Sequence, residues 1–562
     1  MNSTIKSILH IFKKDVRLLW PFVLGAAGIQ FALATVRYRL DHIRLAEAGT
    51  LFALFQLLLP ASLLAAALLI ATAVHQDAVP GVRQDWLVRP IRRRDLLLAK
   101  LLFLLTMVHG PILLADMFEA LAQGFPPGQS LASAVTRGLL LLGFLTLPAL
   151  AFASLTRNMT EAVIGGVVVF FSIAALIQLL LVGRSHQPQA LQTGLGWIAH
   201  LSVTSVLVLG AAVILAVQYF RRKTPLSRWL TVGVTSLAFA MQFLPWNFAF
   251  AVQERLSPVP SAGRSILAGY EPSLEKFRLP EGMHRDAVVG RQADARDEAS
   301  TLYLPIHITG LPDDGVLNTD RSEVRLLAAD GKVLYEGPGD DLVIRKEGHQ
   351  GPVHFTIGAR YFGFVREIKT SDLSVPQDGE AWIYHGIALP RGLYERVKNQ
   401  PLPLEIDYSW TLLQGETYNL PGLGGNQVLP GLGRCTTKMD EDGDDIDLHC
   451  MMTGRSPSCA SAFLEHVPSG RRNPTAFNCR PYYAPYLDQL VPDGIARFGT
   501  GIRFHDLSGL ARYPVEAVDL PESRVVVRVY QPQDHFKRQL VIPEIHLSDW
   551  ESVEHDKAVE NR

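Results

Sequence analysis

Four cysteines, a run of carboxylates, one acidic pair and one arginine cluster are the residues of this chain whose types and spacing could do chemistry. Cys435, Cys450, Cys459 and Cys479 leave 14, 8 and 19 residues between neighbours, unlike a zinc site, so two disulfides are expected and three pairings are open. Asp440, Asp442 and Asp444 alternate around Gly443 and offer the hard oxygens that Ca²⁺ takes. No Glu stands where an EF-hand loop needs its bidentate ligand, so a solvated acidic loop is the stronger reading and no metal is expected. Asp116 and Glu119 lie one turn apart near the end of an apolar run. A carboxylate pair beside a span is a candidate for a translocation path, against the blander reading of an interfacial pair facing water. His109, inside the same run, reads as a packing residue. Between Arg83 and Lys100 six basic residues fall within 18 positions, interleaved with Asp77, Asp85 and Asp95.

Absent motifs narrow the class. The chain contains no G-x-x-x-x-G-K-[ST] phosphate loop, no H-E-x-x-H, no G-x-S-x-G and no C-x-x-C. It is therefore not expected to be an enzyme by itself or to bind a cofactor.

The elements that hold these residues divide the chain in two. Of 562 residues 48% are hydrophobic and only 19% charged, which is apolar for a soluble chain. Residues 1–253 carry 20 basic and 9 acidic side chains, whereas 254–562 carry 33 and 45. Basic charge set between apolar runs points to lipid and away from nucleic acid. A spanning helix needs roughly 20 apolar residues, and seven stretches qualify, near 20–36, 51–74, 101–120, 138–155, 162–183, 197–219 and 229–250. Alternate connections carry 15 and 5 Lys plus Arg, which places the N-terminus in the cytoplasm and the cysteine-bearing half outside. Residues 1–19 read as an amphipathic interfacial helix, with Ile8, Phe12 and Val16 on one face and Lys13, Lys14 and Arg17 on the other. Trp20-Pro21 is expected to mark the bend into the first span.

Beyond a connecting segment at 254–300, short β-prone stretches recur at 301–310, 323–329, 332–337, 341–346, 352–358, 380–389, 404–413, 446–452, 523–531 and 538–547. Polar turns separate several of them. The expected fold is an α-helical membrane domain followed by an all-β, sandwich-like extracytoplasmic region over 301–562, divided into two modules at a seam near 390–402.

Three stretches resemble the permease subunits of type 2 ATP-binding-cassette (ABC) transporters. IFKKDVRLLWP (11–21) is similar to the elbow helix before span one of that family, and ASLTRNMTEAV (153–163) to the short inner turn between spans four and five. HQDAVPGVRQDWLVRPIRRRDLLLAKLL (75–102) is similar to its loop leading into span three. Two features depart from the family: a seventh span and roughly 310 residues outside. The resemblance implies an exporter-type permease in a bacterial-type inner (plasma) membrane, dimerised with a second copy or a paralogue. ATP and Mg would sit on a separate ABC ATP-binding subunit. It assigns the docking of that subunit to Asp85, Trp86, Arg89, Arg92, Arg93 and Arg94. Taken without the family, Pro80-Gly81, Trp86 and Arg89-Pro90 suggest a shaped loop that contacts a protein, with anionic lipid as the simpler partner of its arginines. The rival reading is a membrane-anchored extracytoplasmic receptor or assembly factor without transport activity.

Overall fold

The computed structural model describes residues 3–40, 49–77, 92–168, 195–221, 223–273, 299–310, 312, 315–339, 342–346, 381–439, 446–453, 459–472, 476–478, 494, 497–504 and 517–550. They form two compact units, one of residues 1–249 with 452–456 and 484–498, the other of 250–451 with 457–483 and 499–562.

The first unit is helical. Its elements are α1 (Ser3–Leu40), α2 (Gly49–His75), α3 (Arg93–Ala122), α4 (Pro127–Ala153), α5 (Met159–Val168), α6 (Trp197–Arg221) and α7 (Thr224–Met241), with α8 (Trp246–Arg255) straddling the division. Five of them, α1 to α4 and α6, are long and apolar enough to cross a membrane. The expected spans at 20–36, 51–74, 101–120, 138–155 and 197–219 fall on these five. That at 162–183 begins in α5 and continues outside the described residues.

The expected span at 229–250 is not one helix. It divides at Gln242–Pro245, because proline lacks the N–H that would continue α7 and disfavours helical backbone at Leu244 before it.

A second correction concerns the N-terminus. The chain stays helical through Trp20-Pro21, so α1 is a single element of 38 residues, about 57 Å long at 1.5 Å per residue. Ile11, Leu19 and Val23 are buried in the same core as Ala73 of α2, Phe103 of α3 and Leu150 of α4, with Ile8, Phe12 and Val16 packed against it. The apolar face of residues 1–19 is thus partly covered by protein, with Ile5 and Leu9 left exposed, and the packing on either side of Pro21 offsets the hydrogen bond lost there.

The second unit is β-rich. Its strands are β1 (Leu267–Tyr270), β2 (Ala299–Thr309), β3 (Gly315–Leu327), β4 (Val333–Pro338), β5 (Leu342–Lys346), β6 (Ala381–Pro390), β7 (Leu402–Pro421), β8 (Asn426–Leu429), β9 (Gly433–Met439), β10 (Ile446–Thr453), β11 (Cys459–His466), β12 (Arg471–Arg472), β13 (Ala476–Asn478), β14 (Arg497–Phe504) and β15 (Ser523–Ile545). They make sheets β1-β2-β6-β5, β14-β10-β9-β8 and β12-β11-β15-β7-β3-β4, with β13 on β11. The expected stretch at 352–358 lies outside the described residues.

Two long strands organise this unit. β7 and β15 pair antiparallel from Leu402↔Ile545 to Pro421↔Arg524. One end of the pair shares a core with the first sheet, where Leu302, Leu304, Ile387 and Leu389 meet Ile406, Trp410 and Phe536. The other end packs Leu420, Val525 and Val527 with Cys435, Leu448 and Cys450. The stretches 523–531 and 538–547 therefore belong mostly to one strand, with a register shift between Pro532 and Asp534. Nor does the chain divide at 390–402: a short helix, α9 (Arg391–Val397), buries Tyr394 and Val397 in the core it shares with strands on both sides of it.

Cys435 and Cys450 face each other across β9 and β10 and form a disulfide. Cys459 begins β11, and Cys479 lies outside the described residues. Closing a loop of sequence separation 15 restricts the unfolded chain, so a Cys435→Ala/Cys450→Ala variant is expected to lose about 3 kcal/mol, read by denaturant unfolding. A midpoint unchanged in the variant would show that the crosslink contributes nothing.

Candidate functional site

Two buried charge clusters mark opposite ends of the helical unit. At the first, the Lys100 ammonium on α3 donates to Asp15 of α1 at 2.8 Å and to Asp77, just past the end of α2, at 2.7 Å. Lys14 adds hydrogen bonds of 2.8 Å to both oxygens of Asp77. Asp15 is 0% and Lys100 1% exposed, Asp77 is buried and Lys14 half-exposed, and the four charges balance two against two. Burial pushes the Asp77 carboxyl up, but Lys100 and Lys14 together hold it below its ordinary value.

Hydrogen bonds gather further chain ends beside this node. His75 Nε2 lies 2.9 Å from the Thr156 hydroxyl, Gln218 donates to the Ser154 carbonyl at 3.1 Å and Arg93 to the Phe220 carbonyl at 3.3 Å. Arg228 reaches the Leu155 carbonyl at 3.3 Å and Glu161 at 3.1 Å. The N-terminal third of α1 and the facing ends of α2 to α7 thus form one basic end of the unit.

At the other end Arg137 of α4 donates to both oxygens of Asp116 at 2.6 and 2.7 Å, and Arg37 of α1 lies 3.4 Å from Glu119. All four side chains are buried. Asp15 and Arg37 are 22 residues apart on α1, about 33 Å; Lys100 and Glu119 are 19 apart on α3, about 28 Å. Both spans match a hydrocarbon thickness of about 30 Å.

Midway between the clusters, His109 lies 2.9 Å from the Thr146 hydroxyl. Each residue adjoins or closes a π-helical turn, Leu104–Val108 in α3 and Leu142–Thr146 in α4. Wide turns of this kind recur at functional positions because they break the hydrogen-bond ladder locally.

The residues singled out in the sequence fall as follows. Asp116 and Glu119 sit together on α3, each against an arginine, and are turned into the protein instead of toward water. Arg92, Arg93 and Arg94 are exposed at the start of α3, with Arg94 3.5 Å from Asp95. Asp85, Trp86 and Arg89, and Asp440, Asp442 and Asp444, lie outside the described residues. Lys13, Arg17 and Trp20 are exposed on α1, and Lys14 joins the node. Asp15 and Lys100 escape a sequence reading, because each looks like one more charge in a loop-proximal helix. The one visible signal is an acidic residue on an otherwise basic helix and a lysine at the rim of an apolar run. Among the described residues no group of three or more His, Cys, Asp or Glu could hold a metal ion.

Comparison with known proteins adds no relative: no protein-family model, no curated protein and no solved structure matches this chain.

Proposed function

We propose that this chain is the permease subunit of a type 2 ABC transporter. In this reading it is an exporter of a bacterial-type inner membrane, paired with a second copy or a paralogue and driven by a separate ATP-binding subunit that carries ATP and Mg. The supporting observation is the node of Lys14, Asp15, Asp77 and Lys100. It ties the first helix, the entry to the arginine-rich connection and the start of α3 into one ion-paired unit. A force applied by a partner to the connection at 78–91 is then transmitted to α1 and α3 together, because separating them would strand buried charge. The basic end of the unit is taken as cytoplasmic by the positive-inside rule. The β-rich unit is read as an extracytoplasmic sandwich, supported by the core that two of its sheets share and by the disulfide.

Purification of the tagged chain from its own host in mild detergent, with mass spectrometry of co-eluting proteins and an ATPase assay, tests the reading. A P-loop ATPase should co-elute with the wild type and be depleted at least ten-fold in Arg92→Ala/Arg93→Ala/Arg94→Ala, whose folding is checked by its melting curve. A folded chain eluting without any nucleotide-binding partner would overturn it.

A further inference from the structure

An apolar groove runs along α7, lined by Leu226, Trp229, Leu230, Gly233, Val234 and Leu237. The spacing places all six on one helix face over 11 residues, about 16 Å. Trp229 is 75% exposed, and a Cβ added at Gly233 meets nothing within 4 Å, so the groove is open along its length. Along one edge of the groove α7 packs closely against α6, where a Cβ at Gly210 would lie 2.4 Å from Val234 Cγ1.

Charge stands at one end only. Lys223 directly precedes α7 and Arg221 ends α6, both exposed, with Phe220 also exposed beside them. The hydrogen bond from Arg93 to the Phe220 carbonyl brings a third cation to the same place. Toward its other end α7 continues as Ser236-Leu237-Ala238-Phe239-Ala240-Met241, without a charge. Cations, then an aromatic pair, then an aliphatic trough follow the order of headgroup, interface and acyl chain in a phospholipid. An acidic peptide would leave the trough uncovered, and a free phosphate would have no use for it.

We infer that α7 and the α6–α7 junction form a binding site for an anionic phospholipid, its headgroup held by Arg221, Lys223 and Arg93 and one acyl chain lying along the groove. The site does not depend on the transporter reading.

The experiment uses the full chain in mild detergent, delipidated and then titrated with phosphatidylglycerol or phosphatidylcholine of the same acyl chains, with bound lipid counted by native mass spectrometry. Quenching of tryptophan fluorescence by brominated chains is measured in parallel. At about a five-fold preference per cation, the wild type should retain phosphatidylglycerol at least ten-fold over phosphatidylcholine. Arg93→Gln/Arg221→Gln/Lys223→Gln should bring that ratio within about two-fold while leaving quenching in place. The chain has eight tryptophans, so the share owed to Trp229 is taken as the difference between wild type and Trp229→Phe, and Gly233→Leu, which fits the helix and fills the groove, should remove that share. A headgroup preference in the charge variant unchanged from the wild type would overturn the proposal, as would a Trp229 share of the quenching that survives Gly233→Leu. Displacement of the lipid by glycerol phosphate alone would also overturn it, showing a phosphate site in its place.

Discussion

Lys100→Met is expected to lower the stability of the helical unit by about 3–5 kcal/mol, the cost of stranding buried charge. The substitution keeps the volume of the side chain but leaves Asp15, 0% exposed, facing Asp77 with only the half-exposed Lys14 to compensate both. Two carboxylates in one low-dielectric site repel, and one must take a proton or the helices must part. The measurement is unfolding in mixed micelles, followed by circular dichroism. The triple variant Asp15→Asn/Asp77→Asn/Lys100→Met removes the charges together and should recover most of the loss, since buried ion pairs contribute little beyond a neutral replacement. A single variant as stable as the wild type would mean the cluster is hydrated and exerts no hold on α1 and α3.

Acid should begin to weaken the β-rich unit well above the pH at which its carboxylates titrate. Burial lowers His535 to about 4 and His385 to about 3. His535 Nδ1 lies 2.7 Å from the Thr411 hydroxyl, which itself donates to Asp320 at 2.5 Å, and Gln253 Nε2 stands 3.2 Å away. His385 is wholly buried, edge-on to the Tyr408 ring with centroids 5.4 Å apart. In the unfolded chain both imidazoles titrate near 6.5. A depressed folded pKa means that the unfolded state binds more protons below that value. The stability is therefore fully present above pH 6.5, falls as the pH drops, and levels off for His535 below about 4. Over that window His535 alone accounts for roughly 3 kcal/mol. Hydrogen exchange of the β-rich unit between pH 7 and 4 should show the loss, and His535→Gln should roughly halve its slope, leaving the share of His385. A wild-type profile without slope between pH 6.5 and 4 would show that these histidines titrate normally.

Much of the helical unit was readable because the signal is local. A run of twenty apolar residues needs no partner to declare itself, and five of the seven expected spans coincide with helices. The two failures of local reading have one cause. Trp20-Pro21 and Gln242–Pro245 look alike as helix breakers, yet the first stays within α1 while the second separates α7 from α8. Leu19 and Val23, on either side of Pro21, are buried in the helical core, and no propensity scale contains that contact. The β-prone stretches were likewise legible as strands. Their joining into β7 and β15 was not, because the polar run Gln531–His535 reads as a turn until Leu413 and Leu412 pair with it.

The candidate sites divide in the same way. Composition and charge alone established a basic, apolar half and an acidic, cysteine-bearing half, and the arginines at 92–94 announced themselves by clustering. Which carboxylate meets which cation was decided by tertiary structure. Lys100 and Asp15 are 85 residues apart, Lys14 and Asp77 63 apart, and Arg137 and Asp116 join two helices across a turn. Apolar runs and charge bias are set by solvent, which acts on each residue where it stands. Ion pairs and a continuous first helix are set by packing, which exists only once distant segments have met.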